Sequence, residues 1–193
     1  LANVLANRFL STYHIQPNVH INVVEAIPSH VGLGSGTQLS LAIAVALAKL
    51  FNIEASVPEL AVVMGRARRT CVGTSIFQSG GFVIDGGKNQ KTQTIPPLIF
   101  RQSFPSEWRF VVAVPKQNKG LSNSEENHAF DKLTKMPPDD AAQICRLIML
   151  KLLPALAEHD IESFGDALTK IQILTGNHFA QAQGGTYSSS VST

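Results

Sequence analysis

Residues 28–38 carry the clearest chemistry in the chain: Pro28-Ser29-His30-Val31-Gly32-Leu33-Gly34-Ser35-Gly36-Thr37-Gln38. They join a strand-like run to a long apolar helical pattern. Glycines there let backbone N–H groups approach an anion closely, and the following helix N-terminus adds partial positive charge. The hydroxyls of Ser35 and Thr37 can donate to the same oxygens. A helix end contributes only ~0.3–1 kcal/mol, whereas micromolar affinity requires about 8 kcal/mol. The loop therefore needs cations from elsewhere. Arg66, Arg68 and Arg69 are the candidates, because a guanidinium presents a planar fork that fits phosphate oxygens. The competing reading is a solvated cluster at a helix C-terminus, where cations are favoured anyway. Two common phosphate motifs are excluded. A Walker A loop needs Lys and Ser or Thr after its last glycine, and Gly36 precedes Thr37-Gln38. The dinucleotide fingerprint needs a third glycine where Thr37 stands. A glycine turn that serves only tight strand-to-helix packing is the bland alternative.

Further residues invite a role. Asp85 closes an apolar run before Gly86 and could position a sugar hydroxyl or a magnesium ion; a plain Asp-Gly turn is the equal alternative. His30 adjoins the loop and could meet a phosphate or move a proton, against a reading as a surface histidine. Glu25 sits on the run that feeds the loop. A carboxylate in an apolar strand is usually paired or functional, although an edge position makes it ordinary. Glu125-Glu126 reads as a solvated pair, with a lid or a magnesium contact as the sharper option. The histidines do not cluster at metal-ligand spacing, so metal ligands stay unassigned. Cys71 reads as a small buried thiol.

Composition narrows the class. The chain has 193 residues, 44% hydrophobic and 16% charged, with 16 basic against 14 acidic side chains and a net charge of +2. That length is about one domain, and the low charge excludes disorder as the main state. The charge balance argues against nucleic acid as a partner. Two cysteines without a CxxC pair point away from a disulfide scaffold and toward a cytoplasmic protein. No apolar run approaches the ~20 residues of a membrane span. The missing initiating Met and the Gly/Ser/Thr-rich end read as an excerpt of a longer chain.

The elements must then position the loop. Leu1, Val4, Leu5 and Phe9 share a helical face within residues 1–13, closed by Pro17. Val19, Ile21 and Val23 alternate with His20 and Asn22, a strand signature. Leu39, Ile43, Ala46, Leu47 and Leu50 predict a long helix, and residues 59–69 a shorter one. A small-residue segment leads to a buried strand over 82–85. Pro96-Pro97 reads as a linker, 109–115 as a strand and 120–127 as a loop. A helical pattern spans 141–158, kinked or split by Pro154. Another spans 161–175, stopped by Gly176-Asn177. Strands and helices interleave without strict alternation, so the fold class is α+β.

Several of these stretches resemble a known family. Pro28-x-x-x-Gly32-Leu33-Gly34-Ser35-Gly36 resembles the phosphate loop of GHMP small-molecule kinases, P-x-x-x-G-L-G-S-S-A. Adding Thr37-Gln38, Gly80-Gly81-Phe82-Val83-Ile84-Asp85-Gly86-Gly87, Pro96-Pro97-Leu98-Ile99-Phe100-Arg101, Trp108-Arg109-Phe110 and Gly120-Leu121-Ser122, the chain resembles the β-ribofuranosylaminobenzene 5′-phosphate synthases within that superfamily. The resemblance implies a GHMP-kinase-like fold with a left-handed βαβ unit. It implies an N-terminal-type part over 1–115 and a mainly helical C-terminal-type part over 116–193, both incomplete. It further implies condensation of phosphoribosyl pyrophosphate with 4-aminobenzoate or a hydroxybenzoate, releasing CO2 and pyrophosphate, for methanopterin-type cofactors. Gly32, Leu33, Gly34, Ser35, Gly36, Thr37 and Gln38 with Arg66 and Arg68 would then hold the pyrophosphate; Asp85, Arg69 and His30 would be the catalytic residues, Asp85 favouring an oxocarbenium-like ribose and Arg69 offsetting charge on the leaving group. Magnesium is the expected cofactor, and ATP only if the chain is a kinase. The partners expected are a phosphorylated sugar and an aromatic acid, with no nucleic acid and no membrane; a homodimer stays open. GHMP kinases usually carry a catalytic Asp seven residues before the Gly-Gly pair, a position held here by Gly73. That departure favours the synthase over an ATP-dependent kinase. A non-catalytic binding domain is the third reading.

Overall fold

The computed structural model describes residues 1–16, 19–29, 31–89, 95–114, 133–183 and 185–186. The chain divides into two compact units, Leu1–Ser103 and Phe104–Thr193. His30 and Glu125-Glu126 lie outside the described residues.

In the first unit, helices α1 (Ala2–Thr12), α2 (Ser35–Leu50), α3 (Val57–Val63) and α4 (Val72–Ser79) precede strands β1 (Phe82–Asp85) and β2 (Leu98–Gln102). Leu5 and Phe9, one turn apart on α1, pack with Ile43 and Leu47 of α2 and with Leu60 and Met64. Burying side chains of this size contributes ~1.5–3 kcal/mol each. Helix α3 starts in a capping box: Glu59 N donates to Ser56 Oγ at 3.4 Å, and Ser56 N donates to Glu59 Oε2 at 2.7 Å. The serine bonds hold that carboxyl below its ordinary pKa. The two strands pair antiparallel, Phe82 opposite Gln102 and Ile84 opposite Phe100, with an irregularity at Ile84/Asp85.

The second unit holds α5 (Pro138–Leu147), a π-helical stretch (Ile148–Leu152), α6 (Leu153–Glu158) and α7 (Ile161–Gln183). Leu152, Ala155 and Leu156 are buried, as are Phe164 and Ala167 of α7. Trp108 rests against Phe164 with ring centroids 5.0 Å apart. The fold class is α+β, and among the described residues no helix is long and apolar enough to cross a membrane.

Several elements differ from the sequence reading. The helix over 59–69 stops at Val63, because Gly65 takes a left-handed φ of +69° and donates to Val62 O at 2.8 Å. The small-residue segment is helix α4. Strand β2 follows the proline pair immediately. Residues 19–28 and 109–114 form neither helix nor strand. No ladder partner reaches them among the described residues, and Val24 and Val111 are 90% and 95% exposed. The helical run over 141–158 is split ahead of Pro154, as expected: the α-helix gives way to a π turn over Ile148–Leu152 and resumes at Leu153. Helix α7 runs straight through Gly176, whose lack of a side chain lets the Thr186 backbone approach.

Candidate active site

The site is built around the first turn of α2. Its N-cap is Gly34, in the left-handed region at φ 67°, ψ 16°, a conformation that favours glycine. Thr37 N and Gln38 N donate to Gly34 O at 3.0 and 3.1 Å. The amides of Ser35 and Gly36 have no acceptor within the helix. Among the described residues no side chain caps this end, and no acidic residue stands in its first turn. Four other helices do have a carboxylate at that end. Helix α3 has Glu59, α5 has Asp139 and Asp140, and α7 has Asp160 Oδ1, which accepts from Glu162 N and Ser163 N at 3.1 and 3.0 Å. Helix α4 has Asp85. The positive end of α2 is instead met by another positive charge.

That charge is Arg66. A Cβ on Gly36 would stand 3.5 Å from Arg66 Nη2 and 3.7 Å from Nη1, so the guanidinium lies along the helix turn in space that a side chain at position 36 would contact. Arg66 Nε donates to Ser40 Oγ at 3.1 Å, and the fully buried Ser40 hydroxyl donates to Gly36 O at 2.7 Å. Arg8 approaches from α1, donating from Nε to Val63 O at 2.7 Å while its Nη atoms crowd Gly65. Burial, then the charge of Arg8, lowers the Arg66 pKa, which is the signature of a cation without its counter-charge. Among the described residues no carboxylate pairs with Arg8 or Arg66. Two guanidiniums and an uncapped helix end thus converge on one patch, an arrangement relieved by binding an anion.

Helix α4 braces the patch. Gln38 Nε2 donates to Gly73 O at 3.1 Å, and a Cβ on Gly73 would stand 3.0 Å from Thr37 Cγ2. Gln38 therefore uses its side-chain amide on α4, while a side chain at position 73 would press on the Thr37 methyl. Asp85 holds the other side: its carboxylate accepts from Thr70 Oγ1, from Cys71 N at 2.8 Å and from Gly87 N at 3.1 Å. It caps α4 and closes the Gly86-Gly87 turn at once. Of the arginines, the structure brings Arg66 to the loop, while Arg68 and Arg69 are exposed in the turn before α4. Arg8 and Ser40 escaped the sequence reading, since neither belongs to a motif and their roles arise from contacts across elements. Among the described residues no group of His, Cys, Asp or Glu side chains could hold a metal ion.

A family model for the GHMP kinases N terminal domain matches residues 1–80, which contain the loop, Arg8, Arg66 and Gly73. The beta-ribofuranosylphenol 5'-phosphate synthase of Archaeoglobus fulgidus is 39% identical over 165 residues, covering 80% of this chain and 52% of that protein. This chain belongs to that synthase family. Its member from Methanothermobacter thermautotrophicus is 33% identical over 86% of this chain and 54% of its own length. The one from Methanocaldococcus jannaschii is 32% identical over 81% of this chain and 51% of its own. The chain spans about half the length of the curated relatives it matches.

Proposed function

We propose that this chain carries the pyrophosphate-holding part of a phosphoribosyl-transferring synthase. The reaction joins the ribose 5-phosphate of phosphoribosyl pyrophosphate to an aromatic acid, with loss of CO2 and pyrophosphate, on the way to a methanopterin-type cofactor. The names of the archaeal relatives specify a ribofuranosylphenol product, which favours a hydroxybenzoate over 4-aminobenzoate as acceptor.

The observation that supports this reading is Arg66 lying against Gly36 on a helix end that no carboxylate of the described residues caps. Negative charge grows on pyrophosphate as the sugar C–O bond breaks. Fixed donors aimed at that charge are the main electrostatic route to rate. Here the free amides of Ser35 and Gly36 and the Arg66 guanidinium supply them. Gly73 supports the same reading, because it offers no side chain to serve as a phosphoryl-transfer base at that position. Magnesium would arrive on the pyrophosphate, held by its oxygens and by water, as this ion usually is in phosphate sites.

Phosphorus NMR on the full protein tests the proposal. With magnesium, phosphoribosyl pyrophosphate and 4-hydroxybenzoate, pyrophosphate should appear only when the aromatic acid is present. ADP formed from ATP and a small alcohol, without that reaction, would establish the kinase reading in its place.

A further inference from the structure

A cavity of about 240 Å³ opens on the flank of the first turn of α2. Ile27, Leu39, Ala42 and Phe77 give it apolar walls, and Ser35 and Gly36 border it from the anion loop. A cavity of about 150 Å³ is enough for benzene, so this one has the scale of a benzene ring with two substituents. Glu25 also lines it. Glu25 is exposed and makes no hydrogen bond or ion pair with the described residues. An aromatic wall, a pyrophosphate-facing end and a carboxylate unpaired among the described residues thus meet in one cavity.

We infer that this cavity seats the aromatic acceptor and that Glu25 accepts the proton of its ring hydroxyl. The inference rests on the synthase reading. The ring lies among Phe77, Leu39 and Ile27, with its carboxyl-bearing carbon toward the loop and its hydroxyl on Glu25. As the C–O bond to pyrophosphate breaks, that ring carbon forms the C–C bond to the sugar. The hydroxyl proton passes to Glu25, and the ring becomes a dienone. The bond to the carboxylate then breaks, CO2 leaves, and its electron pair restores the aromatic ring. Glu25 returns the proton to the oxygen, so the carboxylate ends as it began. An amine in place of the hydroxyl donates its lone pair without losing a proton, so the base matters much less for an aminobenzoate.

Glu25→Gln separates the two acceptors. Proton transfer by a placed side chain is worth ~10²–10⁴-fold in rate. The variant should lose about 100-fold in kcat/KM with 4-hydroxybenzoate, yet only a few-fold with 4-aminobenzoate. The acidic limb of the kcat–pH profile with 4-hydroxybenzoate should vanish, and pyrophosphate affinity should stay as in the wild type. Phe77→Ala should raise KM for both acceptors. Equal losses with both acceptors, or none, in Glu25→Gln overturn the assignment while the synthase reading stands. A wild-type protein that releases no pyrophosphate with either acceptor overturns that reading, and this assignment with it. Glu25 has no partner to lose among the described residues, so the variant keeps the fold; its melting temperature verifies that.

Discussion

Arg66 is placed at some cost to the empty protein. It is half-buried, it stands beside Arg8, and both effects disfavour its charge. A bound pyrophosphate reverses that balance, because a hydrogen bond to a charged group is worth about 1.5–3 kcal/mol. Arg66→Ala should therefore weaken pyrophosphate binding by about 10- to 100-fold, measured by calorimetry. Arg66→Lys should recover only part of this, since the planar fork is lost. Unliganded stability should change little, because removing the side chain also removes the repulsion from Arg8. A variant that binds pyrophosphate like the wild type would sink the role given to Arg66. At this scale the loop and one arginine were legible, because glycine spacing before an apolar helix is a local signal. Arg8 was not, since nothing around it in sequence marks a residue that reaches α3.

Elements hold these residues through a few joints. Gly65 ends α3 in the left-handed region, with the Arg8 guanidinium 2.7–2.9 Å from where a Cβ would stand. Gly65→Ala should cost about 1–2 kcal/mol for backbone conformation alone and push Arg8 away, read as a lower urea midpoint together with weaker pyrophosphate binding. Unchanged affinity would show that the Arg8 position does not matter. Asp85 is the second joint. Asp85→Ala removes the carboxylate that accepts from Cys71 N at the start of α4, a loss of about 1 kcal/mol, and loosens the helix that Gln38 grips through Gly73 O. Its effect on pyrophosphate affinity should be smaller than that of Arg66→Ala, because Asp85 acts through α4. The long amphipathic elements, α1 and α2, were legible from periodicity, and β1 from its apolar run. Helix α4 was hidden by its small residues, with Gly73 and Ser75 interrupting any stripe, and its start depends on Asp85 from the following strand. The strands read at 19–23 and 109–115 show the opposite error. Alternation reports a face able to be buried, but a strand exists only where a neighbour completes the ladder. Gly176 read as a stop because glycine so often ends a helix, whereas here it serves a close approach by Thr186.

Across the whole molecule, acid response should be set in large part by the second unit. Asp166 accepts from Lys151 of the π stretch and Lys170 of α7, which lowers its pKa. Bonds from Ser163 and Glu162 lower that of Asp160. Glu107 is lowered by its own backbone amide and by His159, 3.1 Å away. A carboxyl whose folded pKa lies below its unfolded value stabilises the fold above that unfolded value. The contribution fades as pH falls through the folded pKa. The ordinary carboxyl value is about 4, so stability of this unit should be level from neutral pH down to about 5 and decline below about 4. All three carboxyls are solvent-facing, so the decline should be gradual. Trp108 is the single tryptophan and packs on Phe164, so its fluorescence reports this unit directly. Urea midpoints followed by that signal should trace the plateau and the fall. Asp166→Asn should lower the plateau and flatten the acid limb, because it removes the anion that both lysines share. A midpoint already falling between pH 7 and 5 would show that histidines, not these carboxyls, govern the unit.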